Sequence, residues 1–369
     1  MPKFRKIIFD WFGKSNYFVT LSYSHTCYTF ILEVNIISDT VTKPSKQMLD
    51  FMLSAEVGDD VFAEDPTVNA LESRLSKMFG MDSALFCPSG TMTNQIAIKV
   101  HTKSLDEMIC DIDSHVYQAE SSGFAFHSGI SVNLIHGING KINAEQISAS
   151  LRPGFDWQPL SKLVVLENTT NKGGGSYYTL DEISSVYKLT RDKGLKLHID
   201  GARIFNALIE TNEPSEKIGL LCDSISVCFS KGLGAPVGSI LIGDKTFIRE
   251  ARRFRKVMGG GMRQSGILAA ACLYALNHHI PDLKIDNTRA KELGTILKSK
   301  HFVKQIKPVY TNIIIFILAD HINTIDFLNN LKSKGILASE FGHQTIRFVM
   351  HRDITPDQFD FLIKIIESL

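Results

Sequence analysis

Lysine forms imines with carbonyl compounds, and removal from water lowers its pKa toward nucleophilic reactivity. Lys231 follows the apolar run Ser226–Phe229, inside Ser230-Lys231-Gly232-Leu233-Gly234, whose small residues leave room for a ring. A lysine after a strand is ordinarily a solvated surface residue, so this signal is weak alone. A second stretch, Lys196-Leu197-His198-Ile199-Asp200-Gly201-Ala202-Arg203, ends an apolar strand on a carboxylate. Asp200 could cap a helix. It could also sit beside a pyridine nitrogen and keep it protonated, so that the ring accepts electrons released at a substrate carbon. A third stretch, Phe86–Asn94, joins a strand to a helix. There Gly90 permits close backbone approach, and the first free N–H groups and dipole of the helix suit a phosphate. Ser89 and Thr91 add hydroxyl donors, although an ordinary capped helix start looks the same. Together the three stretches fit one cofactor, pyridoxal phosphate, better than any one does alone.

These residues need a scaffold. From about residue 83, short apolar runs alternate with amphipathic segments, which predicts βαβ units, a mainly parallel central sheet and an α/β fold. Ser83–Cys87, Met108–Asp111, Val132–Ile135, Leu163–Leu166, Lys196–Ile199, Ile225–Phe229 and Ser239–Ile242 read as strands. Thr91–His101, Leu180–Lys193, Thr246–Val257 and Gln264–Asn277 read as helices. Both Asp200 and Lys231 then fall at the C-terminal edge of the sheet, where open α/β folds bind ligands. Beyond, Asp286–Ser299, Thr324–Lys334 and Thr355–Leu369 read as helices, and Ile313–Leu318 and Thr345–Met350 as strands. The organisation expected is an N-terminal extension over 1–33, a large cofactor-binding domain over 34–285 and a small α+β domain over 286–369.

Composition narrows the function. The 369 residues are 44% hydrophobic, enough for two domains, and carry a formal net charge of +1. No basic face for nucleic acid is expected from that balance. One local patch, Arg249, Arg252, Arg253, Arg255 and Lys256, reads first as a solvated helix face. The six cysteines form no C-x-x-C pair and read as buried free thiols in a reducing, cytoplasmic setting. Residues 1–33 are too polar for a membrane span and have no small-residue cleavage site. An ill-ordered arm or too early a translation start is preferred there to a targeting peptide. Asp59, Asp60 and Asp65 resemble a carboxylate cluster, but their spacing is not that of a metal loop. Asp65 is read as a helix N-cap with Pro66 in the first turn, and no metal is expected.

Longer stretches add a resemblance. Ser38–Pro44, Val57–Phe62, Glu64–Asn69, Pro88–Asn94, Ser114-His115, Leu166–Thr169, His198–Asn206, Ser230–Ser239, Gly259–Gly266 and Ile346–Val349 resemble, in order, the low-specificity L-threonine aldolase family. That family lies in the aspartate-aminotransferase-like, fold type I group of pyridoxal-phosphate enzymes and in the beta-eliminating lyase/threonine aldolase family. The likeness runs from about residue 34 to the end. It implies that Lys231 holds the cofactor as a Schiff base and that Asp200 pairs with the pyridine nitrogen. It further implies that Gly90 and Thr91 bind phosphate, His115 stacks on the ring, and Arg203 lies near the 3′ oxygen and the substrate carboxylate. Ser38 and Arg347 would hold the α-carboxylate, a task suited to a guanidinium fork. Lys256 and Arg263 would reach a neighbouring subunit's phosphate, so a homo-oligomer, dimer or tetramer, with shared sites is expected.

The activity implied is retro-aldol cleavage of L-threonine, L-allo-threonine or a related β-hydroxy-α-amino acid to glycine and an aldehyde. His115, or a water it orients, is the candidate base. Three positions depart from the family pattern. Ile37 stands where arginine is common, Phe62 where tyrosine is, and Thr170 where histidine is. All bear on the substrate side. Alternatives are β-elimination or aryl-serine cleavage on the same scaffold, or a non-catalytic scaffold protein.

Overall fold

The computed structural model describes residues Leu32–Leu369. Residues 1–31, with most of the expected N-terminal extension and Cys27, lie outside the described residues. Strands are numbered along the chain. A two-residue strand β1 (Val34–Asn35) comes first. The central sheet takes β2 (Ser83–Cys87), β3 (Asp106–Asp111), β4 (Ser131–Ile135), β5 (Leu160–Glu167), β6 (Lys196–Gly201), β7 (Ser224–Cys228) and β8 (Ser239–Gly243). Its order is β2-β8-β7-β6-β5-β3-β4. Neighbours from β7 through β4 run parallel, and β8 alone runs against both β2 and β7. Side chains of β2, β6, β7 and β8 are almost wholly buried, as expected of a sheet covered on both faces by helices.

Because β2, β3, β5, β6 and β7 share a direction, the loops after Cys87, Asp111, Glu167, Gly201 and Cys228 gather at one edge. Helices return the chain between strands and are capped locally. Helix α1 (Lys46–Leu53) starts on Ser45 and α2 (Pro66–Met78) on Asp65, whose carboxylate accepts the N–H groups of Thr67 and Val68 with Pro66 in the first turn. Helix α3 (Gly90–His101) starts on Ser89, and the one-turn α4 (His115–Gln118) follows Ser114.

The second sheet holds β9 (Val303–Ile306), β10 (Ile313–Leu318), β12 (Ser339–Gly342) and β13 (Thr345–Val349), in the order β12-β13-β10-β9, all antiparallel. The short β11 (Ile336–Leu337) pairs with β1. One face of this sheet buries Ile314, Phe316, Ile346 and Phe348 against the helices Leu283–Lys298 and Pro356–Ser368. Val34 and Ile36 join that second core, while the first core runs as far as Leu283. The beginning of the described chain therefore packs with its end. The other face of the sheet carries Ile313, Ile315, Arg347 and Val349.

Candidate active site

Asp200, near the C-terminal end of β6, is 2% exposed. Its Oδ2 accepts from Asn94 Nδ2 at 2.9 Å and its Oδ1 from the Ala202 N–H at 3.1 Å. Both donors are neutral. Among the described residues no lysine or arginine pairs with this carboxylate. A buried anion held only by neutral donors suits a cationic partner, and a protonated pyridine nitrogen is one. The Asp200 carboxylate, a Glu120 oxygen and a His115 ring nitrogen lie within 4.8 Å of one another. They do not make a metal cage, because the Asn94 amide donates to both carboxylates and would turn its hydrogens toward a cation.

His115 opens α4 after β3 and is about one-third exposed at its side chain. Its Nδ1 donates to Glu120 Oε1 at 2.9 Å, which leaves Nε2 as the free nitrogen. Burial alone would lower the pKa of His115. The Glu120 hydrogen bond and the charges of Asp200, Glu120 and Glu167 outweigh it and raise it. Glu167 ends β5 as the register partner of Asp200. It accepts from the His115 N–H at 2.7 Å and the Asn171 N–H at 2.6 Å. Burial, then the Asp200 charge, push its pKa up to about 7.

Lys231 lies three residues past β7, partly buried. Its carbonyl accepts from Thr42 Oγ1 at 2.7 Å and from the Gly234 N–H at 2.8 Å. Gly234 takes φ +76°, the left-handed conformation that closes this turn. A Cβ at Gly90 would stand 2.5 Å from Cys228 Sγ, so only glycine lets α3 begin this close to the strand that leads to Lys231. Thr91 beside it is exposed. Ser89 occupies one of the first N–H groups of α3, that of Met92. The uncommitted N–H groups, the glycine, the lysine and the lone carboxylate fit a phosphorylated pyridine aldehyde.

Arg203 is buried, with Nε and Nη2 each 2.6 Å from Asp39. Burial would raise the Asp39 pKa, but the guanidinium outweighs it and holds the carboxyl well below the usual carboxylate range. Ser38, one residue earlier, accepts from Thr40 N–H and Oγ1 and keeps its own hydroxyl hydrogen. Arg347, on β13, donates Nη1 to Asn171 Oδ1 at 2.8 Å and Nη2 to the Ile37 carbonyl at 3.1 Å. Its guanidinium lies 4.2 Å from the Phe341 ring centre, and its buried Nε has no partner among the described residues. Burial, and then the Arg203 charge, lower the Arg347 pKa to about 10.

Other expected site residues are placed differently. Thr170 is 2% exposed, and its hydroxyl bonds the Asn139 carbonyl at 3.0 Å and Ser176 Oγ at 2.8 Å. Thr170, expected on the substrate side, thus braces the loop from Glu167 to Ser176. Phe62 is 68% exposed. Lys256 is exposed too, and Arg263, 54% exposed, pairs with Asp59. The basic patch is not uniformly solvated, since Arg255 is 2% exposed. It donates Nη1 to the Phe86 carbonyl at 2.7 Å and lies 2.7 Å from Asp60 as an ion pair. Asp59 and Asp65 are likewise engaged as caps. Cys87, Cys110, Cys222, Cys228 and Cys272 are buried free thiols.

Sequence reasoning quoted Asp39, Asn94, Glu167, Asn171 and His198 inside motifs without giving them work, and it missed Glu120. Their roles depend on partners distant in sequence, and only the polarity of Glu120, five residues after His115, hinted at one.

An open α/β sheet with its reactive groups at the C-terminal edge and a small second sheet toward the C-terminus belongs to the fold type I class. The chain belongs to the beta-eliminating lyase family, which matches residues 35–321. It is 38% identical over 337 residues to low-specificity L-threonine aldolase 1 of Arabidopsis thaliana, covering 89% of this chain and 94% of that one. It is 36% identical over 326 residues to low specificity L-threonine aldolase of Escherichia coli (strain K12), covering 88% and 96%. A solved threonine aldolase structure from Leishmania major matches the fold with TM-score 0.79 at 20% identity, covering 90% of this chain and 98% of that one.

Proposed function

We propose that this enzyme cleaves the Cα–Cβ bond of L-threonine, L-allo-threonine and related β-hydroxy-α-amino acids, giving glycine and an aldehyde, with pyridoxal phosphate as cofactor. The observation that carries this is Asp200, a buried carboxylate with no cationic partner among the described residues, on the strand beside the one that leads to Lys231. The relatives named as threonine aldolases, aligned over nearly their whole length, support the substrate class.

Pyridoxal phosphate, when bound, supplies a sink for the electron pair released at Cα. Lys231 Nζ would hold its aldehyde carbon. Asp200 would keep the proton on the ring nitrogen. Gly90 and Thr91 would hold the phosphate at the start of α3, and Arg203, neutralised by Asp39, would keep Nη1 for the 3′ oxygen. Arg347 and Ser38 would bind the α-carboxylate and so orient the bond to be broken. His115 would cover the ring. With Nδ1 held by Glu120, its Nε2 takes the β-hydroxyl proton, directly or through a water.

Lys256 and Arg263 are solvent-facing in the single chain and would reach a neighbour's phosphate in a dimer or tetramer, with Phe62 turned toward a substrate. The free thiols favour a cytoplasmic setting. Among the described residues no helix is long and apolar enough to cross a membrane.

The test is product analysis with L-threonine, L-allo-threonine and phenylserine. Glycine and the matching aldehyde are expected, from a yellow protein that borohydride bleaches. Ammonia and a 2-oxo acid instead would move the assignment to β-elimination. A colourless protein with no turnover would leave a scaffold.

A further inference from the structure

Behind the site runs a line of buried polar groups to which no role has been given. Asn94 Nδ2 donates to Asp200 Oδ2 and to Glu120 Oε1, both at 2.9 Å. That uses both hydrogens of its amide. Its Oδ1 therefore has to accept, and the neighbour at 3.1 Å is His198 Nε2. A His198 carrying its hydrogen on Nε2 has a bare Nδ1, which accepts the Ser224 hydroxyl at 2.8 Å. Ser224 Oγ, having donated, accepts from His101 Nε2 at 2.8 Å. The polarity of the whole line is fixed by this count. Reversing the Asn94 amide would aim its oxygen at two carboxylates.

His198 and Ser224 are fully buried, and Asn94 is 2% exposed. Burial, reinforced by the neighbouring His101, holds His198 neutral, with its pKa lowered to about 3. A neutral imidazole is what the line requires, since a second ring hydrogen would displace the Ser224 donor.

We infer that Asn94, His198 and Ser224 are positioning residues: through one amide they set both the carboxylate that faces the pyridine nitrogen and, by way of Glu120, the orientation of His115. The inference rests on the function proposed above. It deepens that reading, because a single tautomer behind the sheet then governs the electron sink and the base together.

The experiment reconstitutes the full-length protein with pyridoxal phosphate labelled with ¹⁵N in the ring and follows the nitrogen's chemical shift against pH. His198→Phe leaves Asn94 Oδ1 without a donor. Its ring nitrogen is expected to lose its proton roughly one pH unit lower, with kcat down about tenfold and KM little changed. His198→Gln supplies an N–H to Asn94 and an acceptor to Ser224, and is expected to restore both readouts. Ser224→Ala, a small change, is expected to shift the titration in the same direction by less, and it decides the matter if His198→Phe fails to fold. Titrations and kcat like those of the natural protein in every folded variant overturn the inference, even if thermal stability falls. A natural protein that takes up no pyridoxal phosphate defeats the functional reading. One that binds it and cleaves threonine while the variants match it defeats only the positioning line.

Discussion

Asp200 and Arg347, opposite in charge and both proposed for one site, are held by regions that differ in kind. Asp200 stands on the central sheet. Its support comes from neighbouring parallel strands and α3, through Asn94, His198 and Ser224, all buried. Arg347 stands on a small antiparallel sheet, and its partners are a loop amide, Asn171, and a backbone carbonyl, Ile37. The floor of the site is held by a line of buried hydrogen bonds that links α3, β6 and β7. The wall is assembled from segments far apart in sequence, with donors left over. Rigidity would suit the role proposed for Asp200 beside a ring, and spare donors the role proposed for Arg347 toward a carboxylate.

Substitutions can test that contrast. The largest effect is expected at Lys231→Ala: the visible absorption of the bound cofactor is lost and turnover falls to background. Turnover like that of the natural protein would remove Lys231 from the floor. Arg347→Ala is expected to raise KM on the order of 10–100-fold, the worth of one or two hydrogen bonds to a charged group, while cofactor affinity holds. A fall in cofactor affinity with an unmoved KM would make Arg347 part of the floor.

Glu167→Gln sharpens the comparison in pH. Raised from the ordinary 4.5 to about 7, the carboxyl keeps its proton in the folded protein where the unfolded chain has lost it. Its contribution to stability is whole below the unfolded value and is lost as pH rises through about 7. Cofactor-free Glu167→Gln should therefore show a flatter melting temperature between about pH 4.5 and 7 than the natural protein. Parallel pH profiles would mean that Glu167 titrates normally. The smallest effect is expected at Thr170→Val, where the loss of loop hydrogen bonds costs about 1 kcal/mol in denaturant unfolding. The preference between L-threonine and L-allo-threonine should stay put. A changed preference would return Thr170 to the substrate side.

In both sheets the strands were legible where the sequence carries a continuous apolar run. Ser83–Cys87 and Ile313–Leu318 agree to the residue, because a buried strand is a continuous apolar run. The strands β9 (Val303–Ile306) and β12 (Ser339–Gly342) were not read, since their side chains are half-buried or exposed and leave no apolar run. The helix Ile204–Thr211 was missed because it begins almost at once after the strand bearing Asp200. Lys231, Asp200 and Gly90 were recognisable from strand ends and small neighbours. Glu120 was not, because Ala119-Glu120-Ser121-Ser122 has no pattern and its meaning comes from Asn94, 26 residues away. The packing of Thr170 against Asn139 and Ser176 was invisible in the sequence, because its partners are set by the loop's fold.

The packing of Val34 and Ile36 into the second core has a consequence for synthesis. The Asn35 carbonyl accepts from His351, which lies 316 residues later in the chain. At ordinary ribosomal rates those partners are made roughly 15–60 s apart. For that interval the segment carrying Ser38 and Asp39 waits beside a growing chain, with its apolar residues unpaired. The turns around His351 are thus the ones that capture this earlier segment, and the packing about Ser38 and Asp39 becomes whole only once they have been made.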